Sequence, residues 1–373
     1  MVFWAILWFF LLIVGFVLLV KGADFFVDGA AGIAKKLHVS TFIIGLTVVA
    51  LGTSAPEAAV SIIGGIKTAM GQPDGAEVIM GNVLGSNMIN ILLILGLSAV
   101  ITKIPVEKSS RFIEIPFLII TSIIFILLGD IGGGYAWYDG LILLALYGGF
   151  MAYTIIMAKK SGPVLLDEEA PSDVAVKGEV ALREGFWGFI DRVKAKYEEL
   201  SEKTWFLIII TIVGLGMVVG GAQLVVDNAT AIADQLFHLP TNVIALTVVA
   251  FGTSLPELVT SITAAKKGDM GLATGNIIGS NIANILFVAG LGFVSTGAAG
   301  VAFDTNALLD GYMSILAAVT LWGFSFFKGN KLGKVAGITM LILLVCYFTY
   351  RILGAYEIVP VLQIPAIFTK VTY

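Results

Sequence analysis

Two copies of one short motif set a carboxylate beside a proline inside an apolar stretch. Pro56 and Glu57 lie in VVALGTSAPEAAVSI, and Pro256 and Glu257 lie in VVAFGTSLPELVTSI. A proline cannot donate to the carbonyl four residues before it, so backbone oxygens near each proline lose their helical partners. Carboxylates and free carbonyl oxygens are the ligands that hard cations such as Ca²⁺ prefer, so the motif predicts a cation site. The residues predicted to break the helices are Gly52, Pro56, Gly252 and Pro256.

A local role in helix capping is the alternative for the same motif. In the capping box S-x-x-E, the serine and glutamate side chains satisfy amides at the start of a helix. Ser54 with Glu57 fits this pattern, and so does Ser254 with Glu257. Capping alone does not require a membrane-embedded charge, which costs about 2.5 to 3.5 kcal/mol even on lenient insertion scales. The apolar surroundings of both glutamates therefore favour ion binding, with which capping is compatible.

A second repeated motif supplies amides and hydroxyls at helical spacing. GNVLGSNMINIL and GNIIGSNIANIL each carry Asn, Ser and Asn four residues apart, which puts the three side chains along one helix face. The G-x-x-x-G within each motif lets helices approach closely. For the asparagine that opens each motif, helix packing through hydrogen bonds is the alternative to ion binding. The polar positions are Asn82, Ser86, Asn90, Asn276, Ser280 and Asn284.

The composition of the chain is that of a membrane protein. Hydrophobic residues make up 58% of the chain and charged residues 13%. A helix needs roughly 20 apolar residues to cross a bilayer, whereas barrel strands of about ten residues alternate apolar and polar side chains. Long apolar runs therefore predict an all-α integral membrane protein. Cys346 is the single cysteine, so an intrachain disulfide is excluded. The predicted spans are 2–20, 40–66, 77–101, 112–129, 136–158, 204–226, 241–265, 271–296, 306–327 and 333–353.

The two halves of the chain are related by an internal duplication. Residues 38–62 match 238–262 at 15 of 25 positions, and 81–97 match 275–291 at 10 of 17. Because each half has five predicted spans, an odd number, the second half enters the membrane in the opposite sense, as in many secondary transporters. We predict ten transmembrane helices as two inverted-topology repeats, with broken helices 2 and 7. The predicted divisions are a first repeat (1–158), a connecting loop (159–203), a second repeat (204–355) and a tail (356–373).

Charge distribution predicts how the chain is oriented in a cell membrane. Lys and Arg concentrate in cytoplasmic loops, and here they concentrate in the central loop and the loops on the same side as it. Both termini are therefore expected outside, with the central loop cytoplasmic. Within that loop, 183–203 has apolar residues at helical spacing, which predicts a helix on the membrane surface. His38 and His238 precede their spans and are read as loop residues rather than ligands.

These motifs resemble those of the sodium/calcium exchangers of the cation/Ca²⁺ exchanger superfamily, whose repeats contain G-T-S-x-P-E and G-N-x-x-G-S-N. The chain looks most similar to the short prokaryotic members. The resemblance implies a central Ca²⁺ site formed by Glu57 and Glu257 with the carbonyls of Thr53 and Thr253. It implies an outward Na⁺ site formed by Glu57, Ala250, Thr253, Ser254 and Ser280, and an inward one formed by Ala50, Thr53, Ser54, Ser86 and Glu257. Asn90 and Asn284 are implied to occupy the middle of the site.

Two departures from related families bear on the coupling ion. Many relatives carry an aspartate at the position of Asn284, and in potassium-dependent relatives that aspartate is linked to K⁺ transport. Ca²⁺/H⁺ exchangers carry a glutamate soon after the G-N of the second motif, and residues 83–86 and 277–280 hold none. The first feature weighs against K⁺ coupling, and the second favours Na⁺ over H⁺ as the driving ion.

We therefore expect a Na⁺/Ca²⁺ antiporter that works by alternating access, with a Ca²⁺/H⁺ or other divalent cation/H⁺ antiporter as the alternative. A cation channel could use the same oxygens, but the inverted repeat and broken helices favour a carrier. An intramembrane hydrolase would need a base near Ser54 or Ser254, or metal-binding histidines in the spans, and the sequence has neither. It also contains no G-x-x-x-x-G-K-[ST] phosphate loop, so ATP-driven pumping through such a loop is unsupported. The expected partners are Ca²⁺, Na⁺ and the lipid bilayer, with no enzyme activity, cofactor or nucleic acid. The sequence makes no prediction of the oligomeric state.

Overall fold

A computed structural model describes residues 2–72, 74–160, 197, 199–236, 250–303, 305–355 and 358. These residues form an all-helical structure with two small two-stranded sheets. Most of the predicted surface helix 183–203, His238 and most of the tail 356–373 lie outside the described residues. The predicted seventh span also begins outside them, since the description resumes at residue 250.

The first half contains helices α1 to α8 and two short strands. The helices are α1 (Val2–Leu37), α2 (Thr41–Ile44), α3 (Ala50–Thr53), α4 (Ala55–Ala69), α5 (Asp74–Met88), α6 (Gly96–Ile101), α7 (Ile115–Gly132) and α8 (Trp137–Lys160). Strands β1 (Ile104–Pro105) and β2 (Gly134–Tyr135) precede α7 and α8 respectively.

The second half repeats this order from α9 onwards. Its helices are α9 (Thr204–Gln235), α10 (Ala250–Thr253), α11 (Leu255–Lys266), α12 (Met270–Ala283), α13 (Ala289–Ser295), α14 (Thr305–Ser325) and α15 (Lys334–Ala355). Strands β3 (Val301–Ala302) and β4 (Lys331–Leu332) precede α14 and α15. Helices are joined without a gap by π-helical turns at Gly45–Val49, Ile89–Leu95 and Asn284–Val288, and another turn, Ser110–Glu114, leads into α7.

Several of these helices meet the requirements for crossing a membrane. Among the described residues, eight helical segments are long and apolar enough, and the bent pair of Thr41–Thr53 with Ala55–Ala69 makes a ninth candidate. The segments differ in how many residues are buried in their own most apolar stretch of 18 residues. The buried share is 83% in Met270–Ser295 and 67% in Gly75–Ile101, but 11% in Phe3–Leu37. The segments that carry the second motif therefore lie at the centre of the bundle, while α1 lies at its surface.

Helix α1 is longer than the predicted span 2–20, because it continues to Leu37. The charged residues after position 20 do not end the helix, since they lie on one side and make ion pairs. Lys21 lies 3.6 Å from Asp24, and Lys267, which follows α11 directly, contacts the same side of α1. The opposite side stays apolar, with Phe26 buried against neighbouring helices.

Glycines let α1 and α9 approach closely along their length. Gly15, Gly22 and Gly29 follow one another at intervals of seven residues on α1, as Gly214 and Gly221 do on α9. A Cβ atom at Gly15 would lie 3.0 Å from the carbonyl oxygen of Gly221, and one at Gly22 would lie 2.8 Å from that of Gly214. The order of these contacts makes the pair antiparallel, and the close approach makes it a tight helix pair.

The two sheets join loops from different halves of the chain. Strand β1 pairs antiparallel with β4, where Ile104 lies opposite Leu332. Strand β2 pairs antiparallel with β3, where Gly134 lies opposite Ala302. Each sheet thus ties one loop of the first half to one loop of the second.

Candidate functional site

Both G-T-S-x-P-E motifs lie at a break between two helices. In the first half, α3 ends at Thr53 and α4 begins at Ala55, with a bend of 45° between the two segments. Pro56 lies at the start of α4, where its missing N–H costs little, and Glu57 lies in the first turn. The second half has the same arrangement around Pro256 and Glu257 at the start of α11. The predicted breaks are therefore confirmed, and each glutamate lies at the positive end of a helix dipole.

The capping interpretation is wrong for both serines. Ser54 and Ser254 occupy the N-cap positions of α4 and α11, but neither side chain makes a capping hydrogen bond. Ser54 instead donates from Oγ to Oε1 of Glu257 over 3.1 Å. The Oγ of Ser254 lies 3.1 Å from that of Ser86. Both hydroxyls reach across to the other half of the chain, so they are available to a shared site rather than to their own helices.

The two glutamates belong to one buried hydrogen-bonded cluster. Both side chains are fully buried, although their residues are 200 positions apart. Ser86 donates to Oε1 of Glu57 over 3.3 Å, and the same hydroxyl contacts Ser254. These contacts connect Glu57 through Ser86 to Ser254, which lies at the break before Glu257.

Thr53 joins the cluster from the end of α3. Its hydroxyl donates to Oδ1 of Asn276 over 3.1 Å and lies 3.4 Å from Oγ of Ser280. It also lies 3.4 Å from the carbonyl oxygen of Ala50, which accepts the amide of Ser54 at 3.0 Å. The break therefore brings Ala50 and Thr53, which the resemblance assigns to the inward Na⁺ site, close to Ser280, which it assigns to the outward one.

In the second half, the corresponding residues Ala250 and Thr253 begin and end α10, directly before Ser254. Thr253 is partly buried, whereas Thr53 is fully buried. The sequence-predicted positions are therefore gathered around the two breaks, one set from each half.

Asn90 and Asn284 are fully buried at the π-helical turns of the central helices. Asn284 donates from Nδ2 to Oγ of Ser86 over 3.1 Å. Among the described residues, both side-chain polar atoms of Asn90 and Oδ1 of Asn284 have no hydrogen-bond partner. Buried polar atoms are costly when unpaired, and π-helical turns recur at functional sites, so these atoms are suited to contact an ion or its water.

Asn82 and Asn276 lie one turn before the motif serines and contact the glutamate-bearing helices. Asn82 donates from Nδ2 to the carbonyl oxygen of Glu57 at 2.8 Å and to Oγ of Ser61 at 2.9 Å. Asn276 donates to Oγ of Ser261 at 2.9 Å. The predicted packing role is consistent with these contacts, because each asparagine joins two helices.

The glycines of the second motif differ in what they contact. A Cβ atom at Gly275 or Gly279 would clash with the carbonyl oxygen of Phe42 or Leu46, so the predicted close approach of helices is confirmed there. The corresponding neighbours of Gly81 and Gly85 would be residues 242 and 246, which lie outside the described residues.

Two other asparagines and two serines at the site were not predicted from the sequence. Asn87 donates from Nδ2 to the carbonyl oxygen of Asn281 over 3.2 Å, which joins the two central helices beside the site. Both asparagines are buried. Ser61 and Ser261 accept from Asn82 and Asn276. The signal was available, since each of these four residues recurs at the matching position of the other repeat.

The electrostatics of the cluster favour a cation. Two buried carboxylates in one cluster repel each other and lose hydration, and a bound cation offsets both costs. Among the described residues, Oε2 of Glu57 and Oε2 of Glu257 lack a hydrogen-bond partner, so each has coordination capacity left. The described part of the chain contains no cluster of three or more His, Cys, Asp or Glu side chains that could hold a metal ion. The site instead combines two carboxylates with hydroxyl, amide and carbonyl oxygens, and this is a donor set for hard cations.

Comparisons with known proteins agree with this geometry. The pattern of the family described as "Sodium/calcium exchanger protein" matches residues 7–156 and 206–353. "Sodium/calcium exchanger MaX1" of Methanosarcina acetivorans is 34% identical over 295 residues, covering 76% of this chain and 81% of the relative. "Inner membrane protein YrbG" of Escherichia coli is 31% identical over 329 residues, covering 87% of this chain and 91% of the relative.

A solved structure of the sodium-calcium exchanger NCX_Mj, soaked with 2.5 mM Na⁺ and 10 mM Sr²⁺, is also similar to this chain. The TM-score is 0.72 and the sequence identity 32%, and the match covers 92% of this chain and 99% of the other. The similarity therefore extends over nearly the whole length of both proteins.

Proposed function

The chain belongs to the sodium/calcium exchanger family, and on that premise we propose that it exchanges Na⁺ for Ca²⁺ across a membrane by alternating access. The family consists of ion transporters rather than enzymes, and its members carry Na⁺ and Ca²⁺ without a cofactor. The observation that carries the proposal is the buried cluster in which Ser54 contacts Glu257 and Ser86 contacts Glu57. A cation held there is bound by both halves of the chain at once.

We assign the ion ligands to the residues gathered at the two breaks. Ca²⁺ would bind between Glu57 and Glu257, with Thr53 and Thr253 completing the site. Two glutamates neutralise one divalent ion or two monovalent ions, so Ca²⁺ and Na⁺ would compete for the same charge. The proposed Na⁺ ligands are Glu57, Ala250, Thr253, Ser254 and Ser280 on one side, and Ala50, Thr53, Ser54, Ser86 and Glu257 on the other, with Asn90 and Asn284 between them.

The proposed architecture is ten spans in two inverted repeats of five. The β1–β4 and β2–β3 pairs support it, because the repeat relation exchanges one sheet with the other. In a ten-span layout each sheet also joins two loops on the same side of the membrane, and the two sheets lie on opposite sides. With the charge distribution of the loops, this layout gives both termini outside and the central loop inside.

The moving parts of the proposed cycle are the α1–α9 pair and the helices that carry the ligands. Tight backbone contact through Gly22 and Gly214 would make α1 and α9 move as one body. The central segments α5–α6 and α12–α13 carry the Asn and Ser ligands and are the more buried. Movement of the outer pair past this core would open the site to one side at a time.

H⁺ in place of Na⁺ remains the second candidate for the driving ion. The observation that favours it is the pair of buried carboxylates, Glu57 and Glu257, each of which can take up a proton. The absence of a glutamate at 83–86 and 277–280 favours Na⁺.

The test is Ca²⁺ uptake into proteoliposomes under imposed Na⁺, K⁺ or H⁺ gradients. An outward Na⁺ gradient should drive uptake, while a K⁺ gradient alone should not. Uptake driven by a pH gradient without Na⁺ would replace the proposal with Ca²⁺/H⁺ exchange. Flux that needs no counter-ion would indicate a channel.

A further inference from the structure

The carboxamide of Asn276 joins the break of the first repeat to two helices of the second. Its Oδ1 accepts from the hydroxyl of Thr53 at 3.1 Å, and its Nδ2 donates to Oγ of Ser261 at 2.9 Å. Thr53 ends α3, Asn276 lies in α12, and Ser261 lies in α11, one turn after Glu257. All three side chains are buried, so water does not compete for these bonds.

Asn82, the matching residue of the first repeat, makes different contacts. Its Nδ2 is shared between the carbonyl oxygen of Glu57 and Oγ of Ser61, both in α4 of its own repeat. Asn82 is also partly exposed, whereas Asn276 is fully buried. Of these two matching asparagines, it is Asn276 whose side chain is seen to bond the other repeat among the described residues.

The backbone around Asn276 leaves little room for Thr53 to move independently. A Cβ atom at Gly45 would lie 3.0 Å from the amide nitrogen of Asn276, and one at Gly279 would lie 2.7 Å from Cβ of Ala50. Helix α12 thus lies directly against the segment that ends in Thr53. Given the proposed function, we propose that Asn276 is a positioning residue, which holds the Thr53 hydroxyl at the ion site through the bridge from Ser261.

The test compares Asn276→Ala with Thr260→Val by equilibrium Ca²⁺ binding and by uptake. Thr260 is buried next to Ser261, and its hydroxyl has no hydrogen-bond partner among the described residues, so it is a matched control. Asn276→Ala should weaken Ca²⁺ binding and raise KM by roughly three- to tenfold, as expected for a lost buried hydrogen bond, with the maximal rate within about twofold. Thr260→Val should leave both constants unchanged. An Asn276→Ala protein with wild-type affinity would overturn the proposal.

A double-mutant cycle with Thr53→Val separates positioning from general packing. If Asn276 acts through the Thr53 hydroxyl, the effect of Asn276→Ala on Ca²⁺ affinity should largely disappear in the Thr53→Val background. Additive effects would contradict the proposal. Because Ca²⁺ binding needs no counter-ion gradient, this result is independent of whether Na⁺ drives transport.

A separate set of charges joins α1 to the end of α11. The ammonium group of Lys267 lies 2.8 Å from Oδ1 of Asp28 and 3.8 Å from Oδ1 of Asp24, and donates to the Asp24 carbonyl at 3.0 Å. The hydroxyl of Tyr197 hydrogen-bonds Asp28, and burial together with the two carboxylates raises the pKa of Tyr197. Lys267 thus contacts three oxygens of α1 from the C-cap position of α11, the helix whose first turn contains Glu257.

This contact has the strength expected of a reversible one. The side chains of Lys267, Asp24 and Asp28 are 32%, 35% and 44% exposed, so solvent screens the ion pairs. Solvent-screened pairs of this kind contribute little to stability, unlike the close backbone contact of α1 with α9. We infer that Lys267 is a latch, which holds α1 against the ligand-bearing core in one access state and releases it in the other. This inference rests on the proposed alternating-access cycle.

Cross-linking tests the latch directly. In a Cys346→Ser background, Asp28→Cys with Lys267→Cys would be joined by a short bis-methanethiosulfonate reagent. Cross-linking should reduce Ca²⁺ uptake at least about tenfold, with recovery after reduction, because the cycle requires α1 and α11 to separate. The single-cysteine proteins treated in the same way should transport normally. Cross-linked protein that transports at the uncross-linked rate would refute the latch. The proposed Na⁺/Ca²⁺ exchange would still stand in that case if uptake depended on Na⁺ as in the wild type.

Removal of the Lys267 charge is a second test of the same contact. Lys267→Ala should shift KM for Ca²⁺ on the two faces of the membrane in opposite directions, by roughly two- to fivefold, because it biases the two access states. Lys266→Ala, which changes an adjacent lysine outside the latch, should leave the ratio unchanged. Equal ratios in the two variants would also refute the latch.

Discussion

The two copies of the G-T-S-x-P-E break have nearly the same sequence but make different contacts. Ser54 of the first copy reaches the carboxylate of Glu257, whereas Ser254 of the second contacts the hydroxyl of Ser86. Asn284 donates to that same serine, while the polar atoms of Asn90 have no partner among the described residues. A duplicated sequence thus gives an asymmetric site.

In an inverted-repeat transporter this asymmetry has a simple meaning. Under the proposed alternating-access cycle, the two access states would be related by exchange of the roles of the two repeats, so that each half has a different role in any one state. Variants at matching positions measure how far the two halves differ.

The largest effect is expected where the two copies are equivalent. Glu57→Gln and Glu257→Gln should each weaken Ca²⁺ binding at least about 100-fold, because each removes one of two buried charges that face a divalent ion. Equilibrium Ca²⁺ binding and uptake in proteoliposomes would measure this. Glu77→Gln, an exposed acid on α5, is the control and should bind normally. Retained binding in either buried variant would remove that glutamate from the site.

A smaller effect should separate the two motif serines. Ser54→Ala removes a hydrogen bond to a buried carboxylate, a type worth about 1.5 to 3 kcal/mol, and should weaken Ca²⁺ binding roughly 10- to 100-fold. Ser254→Ala removes a contact between hydroxyls, worth about 0.5 to 1.5 kcal/mol, and should weaken it by about tenfold or less. Equal losses measured by calorimetric titration would mean that the two copies are energetically equivalent in spite of their contacts.

Acid should weaken Ca²⁺ binding through both copies together. A proton on Glu57 or Glu257 removes a charge that Ca²⁺ needs, so apparent affinity falls as pH is lowered and recovers as pH is raised. We expect KM for Ca²⁺ to rise about tenfold for each pH unit below the point where one carboxylate protonates. Uptake that is constant down to about pH 5 would contradict proton competition at this site.

The smallest difference is expected in stability, between the two central asparagines. Asn284→Ala removes the bond to Ser86 and should lower the free energy of unfolding by about 0.5 to 1.5 kcal/mol. Asn90→Ala removes no hydrogen bond within the described residues and should cost less. Thermal unfolding in detergent without Ca²⁺ would measure both, and the reverse order would contradict the assignment of contacts.

Sequence patterns predicted the parts of the site that depend on local chemistry. Proline inside an apolar run predicts a break, and an acid beside it predicts a site, so Pro56 and Glu57 were identified from residue type alone. Matching of the two halves then gave their counterparts. The four-residue spacing placed Ser86 and Asn90 on one continuous helical segment, where both are buried, although a π-helical turn begins between them at Ile89.

Contacts between distant residues could not be read in this way. The partner of Ser54 lies 203 positions away, and only the packing of the two halves decides between it and the local capping box. Helix α1 was predicted too short because charges within it were read as a boundary, whereas Lys267 pairs with them from another helix. The π-helical turn at Asn284 also depends on tertiary packing.

The two small sheets have a consequence for how the polypeptide can be assembled. Each sheet pairs a loop of the first half with a loop of the second, and α1 lies along α9. The halves are therefore held together by the two sheets and by the α1–α9 pair, and these noncovalent contacts do not depend on the peptide chain between residues 161 and 196. Two polypeptides divided in that region, made in the same cell, should recognise each other and rebuild the ion site.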